Sequence, residues 1–217
     1  MDFFSTTDLI GASPILMLSA FSLIALLMNA AMKNSQKVVF GISVVGIVAA
    51  MLNALYLFPM SATAFSDMIL VGGYASFFDL LFLTIALLTL FLSTSYLEKE
   101  NYHYSEYYVL LLLATVGMMM MGSSADLITM FLGLELMSIC FYILAGFIRS
   151  KQTANEAALK YFLLGAFATG FLLYGIALIY GTTGSTNLIL IARQYPMAFA
   201  QPLHIIGFGL LLIGFGF

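Results

Sequence analysis

Long apolar stretches separated by short polar links run along the whole chain. Six of them are long enough, or nearly so, to cross a hydrocarbon core of about 30 Å as helices. We therefore predict transmembrane helices over residues 9–32, 38–57, 77–97, 107–121, 127–148 and 157–180. A seventh stretch begins near Leu203 and is still apolar at Phe217. Because fifteen residues rise only about 22 Å as a helix, we expect the chain to stop inside that helix, as a fragment of a longer protein.

The composition excludes a soluble globular protein. Hydrophobic residues make up 63% of the chain and charged residues 8%, whereas globular domains carry about 25% charged residues. The apolar runs are continuous and lack the alternation of a membrane β-barrel. The predicted fold class is therefore an all-α integral membrane protein, a polytopic helix bundle with six full transmembrane helices and the start of a seventh.

The few polar markers exclude several other classes. The single cysteine, Cys140, lies inside a predicted span, so we expect no disulfide within the chain. Asp2 and Asp8 stand where a signal peptide carries basic residues, so we expect the first helix to be retained. Two scattered histidines provide no metal, haem or nucleotide motif. The net charge of −3 and the lack of a basic patch give no indication of nucleic-acid binding.

Basic residues fall on one side of the membrane if the predicted helices alternate in direction. Lys and Arg concentrate in the cytoplasmic loops of membrane proteins. The opposite side has Arg193, together with Asp2, Asp8 and Asp67. We therefore predict that the N-terminus is outside and the first loop inside. The basic residues assigned to the inside are Lys33, Lys37, Lys99, Arg149, Lys151 and, near the same end of the sixth span, Lys160.

A carboxylate in the middle of the fifth span is the strongest candidate for function. Glu135 lies eight residues after Leu127, where an ionised side chain costs roughly 2.5 to 3.5 kcal/mol. Intramembrane acids often handle protons or cations. The alternative is a protonated carboxyl group that hydrogen-bonds a neighbouring helix. Ser138, Tyr142 and Arg149 fall within about 60° of it around the helix. Waters along this row would link it to the cytoplasmic end, unless the three side chains merely bond locally.

Lys160 is the second candidate. It follows Glu156 at the (i, i+4) spacing that allows an ion pair on one helix face. Its long side chain either snorkels to the cytoplasmic interface or faces the bundle interior and biases Glu135 electrostatically. His204, at the outer edge of the seventh span, is expected to be an interface residue rather than a proton relay.

Two links between spans carry local structural signals. Ser123 is predicted to cap the helix of the fifth span, and Asp126 suits the positive end of the dipole of that helix. Between residues 181 and 202, the apolar run 188–192 predicts a small amphipathic element on the membrane surface. In the seventh span, the glycines at 207, 209, 214 and 216 suit either close helix packing or a helix that opens.

Two stretches resemble a known family of membrane proteins. The first begins at Glu106 and contains SSADLITMFLGLELMSICFYILAGFIRS, and the second, from Asn155, reads NEAALKYFLLGA. Both resemble the antiporter-like membrane subunits of proton-pumping NADH–quinone oxidoreductase, respiratory complex I, and among these subunit N. The resemblance is strong over residues 106–181 and only general in the first three spans. Subunits of multisubunit sodium–proton antiporters share this fold and the glutamate.

The resemblance implies a division of the chain and a role for two residues. It implies about fourteen spans with two inverted repeats of five helices, the first beginning at the fourth span. Residues 1–105 would then form an N-terminal three-helix membrane segment, and residues 106–217 the incomplete start of the first antiporter-like repeat, helices four to seven. It implies that Glu135 is the glutamate of the ion path, with Lys160 in a supporting role. The central lysine of the family would follow soon after Phe217.

The resemblance also implies a function, that of a non-redox subunit of a proton-translocating NADH:quinone oxidoreductase. Electron transfer from NADH to quinone would drive proton translocation through Glu135 and Lys160. NADH, FMN, iron–sulfur clusters and quinone would bind other subunits, with no cofactor in this chain. The implied partners are the other membrane-arm subunits of complex I and the lipid bilayer, and the implied location is the bacterial cytoplasmic (inner) membrane. One alternative is a subunit of a multisubunit cation–proton antiporter, and another is a purely structural part.

Overall fold

The computed structural model describes residues 6–32, 35–99, 104–198 and 201–216. Within these ranges the chain forms nine helices, joined by short links and one small hairpin. Asp2, Lys33 and Phe217 lie outside the described residues. The helices are α1 (Thr6–Gly11), α2 (Ser13–Ala31), α3 (Gln36–Leu57), α4 (Gly73–Lys99), α5 (Glu106–Ser123), α6 (Leu127–Ala145), α7 (Gln152–Thr183), α8 (Leu188–Ala198) and α9 (Pro202–Gly216), and the strands are β1 (Ala62–Ala64) and β2 (Ile69–Val71).

Six of the helices confirm the predicted spans. Helices α2 to α7 are each long and apolar enough to cross a bilayer, and α9 is a shorter apolar helix. The chain is therefore an all-α integral membrane protein, as the composition predicts. The apolar run 188–192 lies in α8, which confirms that a short helix occupies the link before α9.

The first and sixth spans differ in detail from the prediction. Ala12 separates α1 from α2, because Pro14 has no backbone N–H and is tolerated only in the first turn of a new helix. The sixth span is longer than predicted, since α7 has 32 residues and is therefore about 48 Å long. It begins five residues earlier and ends three residues later than the predicted range 157–180.

The helices form a bundle with a row of helices attached to one side. Helices α2 to α5 surround one apolar core, in which Leu18, Val39, Leu83 and Leu112 are fully buried. Helix α6 packs on α5, α7 packs on α6, and α9 packs on α7. Helix α6, which carries the candidate glutamate, therefore lies between the bundle and α7.

An unpredicted β-hairpin covers one end of the bundle, which we call the hairpin end. β1 pairs antiparallel with β2, and Thr63 lies opposite Leu70. Residues 65–67 of the turn all have positive φ. Gly72 also has a positive φ, and a Cβ there would lie 1.9 Å from the carbonyl oxygen of Met60, so only glycine fits. Each strand has three residues, which is too short for the alternation that identifies a strand in a sequence.

A hydrogen-bond network joins three distant links at the hairpin end. Asp126 Oδ1 accepts from the backbone N–H of Ile128 at 2.8 Å, and Asp126 Oδ2 accepts from the Thr186 hydroxyl at 2.6 Å. The Asn187 side-chain amide donates to the carbonyl oxygen of Asp67 at 2.9 Å. The hairpin, the α5–α6 link and the α7–α8 link therefore form one connected cap, in which backbone groups outside the helices are satisfied.

The predicted cap of the fifth span was wrong by one turn. Ser123 is the last residue of α5, and its hydroxyl donates to the carbonyl oxygen of Met119 at 2.8 Å. Asp126 is itself the N-cap of α6, because its carboxylate accepts from the free N–H groups of Ile128 and Thr129.

The charge distribution predicts how the bundle is oriented in a membrane. The end opposite the hairpin, which we call the basic end, carries Lys37, Lys99 and Arg149. Ser150 is exposed there, and Ser61 is exposed at the hairpin end. In a Cys140→Ala background, a membrane-impermeant maleimide should label a Ser61→Cys variant in intact cells. A Ser150→Cys variant should react only after the membrane is opened, since cytoplasmic loops carry the basic residues. The reverse pattern would contradict an outside N-terminus.

Candidate functional site

Direct backbone contact fixes α6 against α5. A Cβ on Gly117 would lie 2.6 Å from the carbonyl oxygen of Gly133, and a Cβ on Gly133 would lie 2.7 Å from the carbonyl oxygen of Gly117. Both positions therefore require glycine. Glu135 follows Gly133 by two residues, a rotation of about 200° around the helix. Glu135 consequently faces away from α5 and toward α7.

Glu135 makes its hydrogen bond with a threonine of α7. The Thr169 hydroxyl donates to Glu135 Oε1 at 2.7 Å, and the contact is partly buried. Both residues lie near the middle of their helices, α6 and α7. A hydroxyl group donates or accepts a hydrogen bond, so it is compatible with both the ionised and the protonated carboxyl group. Sequence analysis did not find Thr169, because a threonine in an apolar helix commonly bonds its own backbone.

The predicted polar row on α6 extends as far as Tyr142. Ser138 is buried and forms a side-chain hydrogen bond with Tyr142. Tyr161 and Glu135 lie close enough to Tyr142 to interact with it electrostatically. Tyr161 belongs to α7, so the row is shared between two helices. Arg149 was predicted to continue it, but α6 ends at Ala145 and Arg149 is therefore not on the helix.

A cavity lies at the basic end, beside the end of α6. It has a volume of about 640 Å³, and Gly146, Arg149 and Ser150 contribute to its lining. Gly146 follows Tyr142 by four residues, which places it on the same side of α6 one turn closer to the basic end. Glu106 and Leu110 of α5 also line the cavity and no described residue of α7 does, so it lies between α5 and the end of α6 rather than on the α7 side, where the polar row runs.

The structure does not bring Lys160 and Glu135 together. The Lys160 ammonium lies 2.5 Å from Glu156 Oε1, in the (i, i+4) ion pair that the spacing allows. The two side chains are 70% and 60% exposed. Lys160 precedes Thr169 by nine residues, which separates it from the level of Glu135 by about 13 Å along α7. If Glu135 lies at the middle of a hydrocarbon core of about 30 Å, Lys160 lies near its edge.

His204 is buried, although its position near the start of α9 predicted an interface residue. Its side chain is 0% exposed, and Nδ1 lies 2.8 Å from the hydroxyl oxygen of Thr182 on α7. Its ring also packs edge-on against Phe208 at 5.0 Å. The expectation was wrong because close packing of α9 on α7 covers the ring. Gly207 and Gly214 of α9 both face side chains of α7 at short range.

Sequence analysis missed a buried acid on α4. Asp79 is 5% exposed, and within the described residues its Oδ1 atom has no hydrogen-bond partner. A signal was available, because Asp79 follows Ala75 and precedes Leu83 at helical spacing, on the stripe of α4 that faces the core. No group of three His, Cys, Asp or Glu side chains in the described part of the chain is arranged to hold a metal ion.

Comparisons with known proteins agree with the family resemblance seen in the sequence. Residues 124–217 match the family model described as NADH:quinone oxidoreductase/Mrp antiporter, TM. NADH-quinone oxidoreductase subunit N of Trichlorobacter lovleyi is 42% identical over 99% of this chain, and subunit N 1 of Chloroherpeton thalassium is 41% identical over 95%. The chain is thus similar, over nearly its whole length, to subunit N of NADH-quinone oxidoreductase. The described glutamate site falls within the matched residues.

Solved structures agree with this family. A chain of respiratory complex I from Thermus thermophilus with bound aureothin superposes with a TM-score of 0.76 over 94% of this chain, at 32% identity. A chain of the membrane-bound sulfane sulfur reductase, an archaeal respiratory membrane complex, gives a TM-score of 0.79 at 22% identity, which shows the shared fold alone. The chain spans less than half of the subunit N relatives, 45% and 43% of their lengths, and 43% of the Thermus chain.

The Glu135–Thr169 hydrogen bond predicts a measurable coupling between the two residues. A double-mutant cycle of Glu135→Gln and Thr169→Val in the complete subunit should give a coupling free energy of about 0.6 to 1.7 kcal/mol, the range for polar contacts between membrane helices. Unfolding of the detergent-solubilised subunit by SDS would measure it. Thr84→Val is the matched control, because the Thr84 hydroxyl bonds the carbonyl oxygen of Leu80 in its own helix. A coupling indistinguishable from that of the control would mean that the contact contributes nothing.

Proposed function

We propose that this chain is part of a proton-translocating membrane subunit of an NADH–quinone oxidoreductase, and that Glu135 carries protons within it. The observation that carries the proposal is a mid-membrane carboxylate that accepts a hydrogen bond from the neutral hydroxyl of Thr169, at 2.7 Å. The relatives that share 42% and 41% identity are named for this enzyme. The chain itself performs no redox chemistry in this proposal. NADH, FMN, iron–sulfur clusters and quinone bind other subunits.

The neutral partner matters because it leaves the charge of Glu135 adjustable. A guanidinium or ammonium group in contact with a buried carboxylate favours the ionised form strongly. A hydroxyl donates to the carboxylate and accepts from the carboxylic acid, so it supports both states. A proton carrier must pass through both states in every cycle. The Thr169 contact therefore holds the carboxyl group in place while its proton comes and goes.

Lys160 acts on Glu135 from a distance in this proposal. At a separation of about 13 Å, unit charges interact by about 1 kcal/mol when the effective dielectric constant is near 20. Moving one charge against 100 mV takes about 2.3 kcal/mol. Lys160 thus biases the protonation of Glu135 by less than this amount, because the carboxylate of Glu156 beside it offsets part of its charge. The ion pair with Glu156 holds the Lys160 ammonium group at that level.

The proposal includes a location and partners. The subunit lies in the inner membrane with its N-terminus outside, and it assembles with other membrane-arm subunits and the lipid bilayer. A shift of charge in those neighbours, driven by electron transfer to quinone, changes the field at Glu135. The second candidate function is that of a subunit of a multisubunit cation–proton antiporter. The description of the matching family model, which also names the Mrp antiporter, favours keeping it.

Replacement of Glu135 tests the proposed function. In the intact complex, Glu135→Gln should assemble normally and lower proton pumping and the coupled NADH–quinone turnover, because the amide keeps the shape but exchanges no proton. Glu135→Asp should keep part of the activity, since a carboxylate survives at shorter reach. Asp67→Asn, at an exposed position in the hairpin turn, is the matched control. The measurement is proton uptake with NADH in inverted membrane vesicles, with assembly assayed separately.

Three observations would decide between the alternatives. Full pumping by a normally assembled Glu135→Gln complex would refute a proton-carrying role for Glu135. Sodium-dependent proton exchange without NADH would instead support the antiporter. Neighbouring genes for subunits with flavin and iron–sulfur motifs would favour the oxidoreductase.

Lys160 has its own test. Lys160→Ala should reduce pumping and Lys160→Arg should retain much of it, because the bias depends on a positive charge at that level. Glu156→Gln should have a smaller effect, since an exposed (i, i+4) ion pair contributes only about 0.3–0.5 kcal/mol. Lys99→Ala, which removes another exposed charge from the basic end, is the control. Equal pumping by Lys160→Ala and Lys99→Ala would remove Lys160 from the mechanism.

A further inference from the structure

The tyrosine that ends the polar row is packed onto the backbone of the next helix. A Cβ built on Gly165 of α7 would lie 1.8 Å from the hydroxyl oxygen of Tyr142 and 2.6 Å from the ring carbon that carries it. The hydroxyl of Tyr142 therefore occupies the space that any side chain at position 165 would need. Gly165 itself is buried. This contact places a polar group in the α6–α7 interface between Glu135 and the basic end.

Tyr142 lies on the same side of α6 as Glu135. The seven residues between the two positions correspond to almost two full turns, a rise of about 10 Å. Ser138 lies between them, is buried, and hydrogen-bonds Tyr142. Glu135 is close enough to Tyr142 for an electrostatic interaction. The three side chains thus form a continuous row on the face of α6 that is turned toward α7. Because about two turns separate the tyrosine from the glutamate, a proton path between them requires the Ser138 hydroxyl and water.

On its other side, the tyrosine faces the basic end. Its ring packs edge-on against Tyr161 at 4.7 Å and against Phe162 at 5.7 Å. Gly146, one turn closer to the basic end on the same side of α6, lines the cavity of about 640 Å³. Tyr142 is therefore the member of the polar row that lies closest to the basic end. Two aromatic rings of α7 pack against its phenol ring and hold it at that helix.

We propose that the Tyr142 hydroxyl relays protons between the basic end and Glu135, and that Gly165 is required to seat it. The inference rests on the proposed role of Glu135. A hydronium ion at the basic end gives a proton to the phenol oxygen as the phenolic hydrogen passes through the Ser138 hydroxyl, and one intervening water, to the carboxylate. The phenol, serine and bridging-water oxygens each gain one O–H bond and lose one, while the carboxylate oxygen gains one and the hydronium ion loses one. The tyrosine ends neutral, the carboxylate becomes a carboxylic acid, and the hydronium ion becomes water.

The structure offers a matched pair of glycines for the test. A Cβ on Gly170, in the same helix, would meet nothing within 4 Å. Gly165→Ala should displace the hydroxyl, whereas Gly170→Ala makes the same chemical change without touching it. Tyr142→Phe removes the hydroxyl and keeps the ring. Tyr174→Phe is its control, because Tyr174 is 60% exposed on α7.

The measurements are NADH-driven proton uptake by the intact complex in inverted vesicles, in H2O and in D2O. Tyr142→Phe and Gly165→Ala should each slow uptake by between about threefold and tenfold, the effect of one lost hydrogen bond. Both should increase the rate ratio between H2O and D2O, because proton entry becomes rate-limiting. Misfolding would reduce the amount of complex without increasing that ratio. The double variant should be no slower than the slower single variant, since both changes remove the same relay.

The result that overturns the relay is a normally assembled Tyr142→Phe complex that pumps like the wild type with an unchanged isotope ratio. Equal losses for Gly165→Ala and Gly170→Ala would also overturn the role of Gly165. If Gly165→Ala fails to assemble, Tyr142→Phe decides the question alone. A silent Glu135→Gln variant would remove the proposed function. An impaired Glu135→Gln variant beside a normal Tyr142→Phe variant would remove the relay and leave the proposed function standing.

Discussion

The contact between Gly117 and Gly133 sets the geometry on which the site depends. Two helix backbones touch there, with each carbonyl oxygen within 2.7 Å of the point where the other glycine would carry a Cβ. In lipid, apolar side chains gain nothing from association over contact with acyl chains, so close packing is a main source of helix–helix affinity. This packing fixes the rotation of α6. The rotation, in turn, directs Glu135 at α7 rather than at the bundle.

A carboxyl group inside a membrane also needs a partner that orients it without fixing its charge state. In a soluble protein, water surrounds an exposed carboxylate, so its ionisation carries little cost in free energy. Inside the membrane, a side chain of the neighbouring helix replaces water as the hydrogen-bond partner. The type of that side chain decides whether the carboxyl group can change its protonation state. A threonine orients the group and tolerates either charge state. The nearest described cation on α7 is kept at the membrane edge by its own ion pair with Glu156, so its influence on the acid is long-range and modest.

The sequence was sufficient for the features that depend on one helix and insufficient for those that depend on two. The span of α6, the depth of Glu135 and the Lys160–Glu156 pair follow from composition and helical spacing. Thr169 could not be found in this way, because its partner lies 34 residues earlier on another helix. His204 was misplaced for the same reason, since its burial comes from α7. Asp79 is different, because its burial could have been predicted from one helix alone. It lies on the apolar stripe of α4, which is visible in the sequence, but the sequence analysis did not single it out.

The cap at the hairpin end has a consequence for how the protein is made. Asp126 starts α6, but its second carboxylate oxygen accepts from Thr186, which the ribosome adds 60 residues later. Asn187, next along the chain, then reaches back to the hairpin by bonding the carbonyl oxygen of Asp67, 120 residues earlier. Helix α7 must therefore cross the membrane before this end can close. During synthesis the first five spans pass through a stage in which the carboxylate of Asp126 has one of its two partners and the hairpin is not yet bonded to Asn187. The insertion of α7 brings Thr186 and Asn187 to this end of the bundle and completes both contacts.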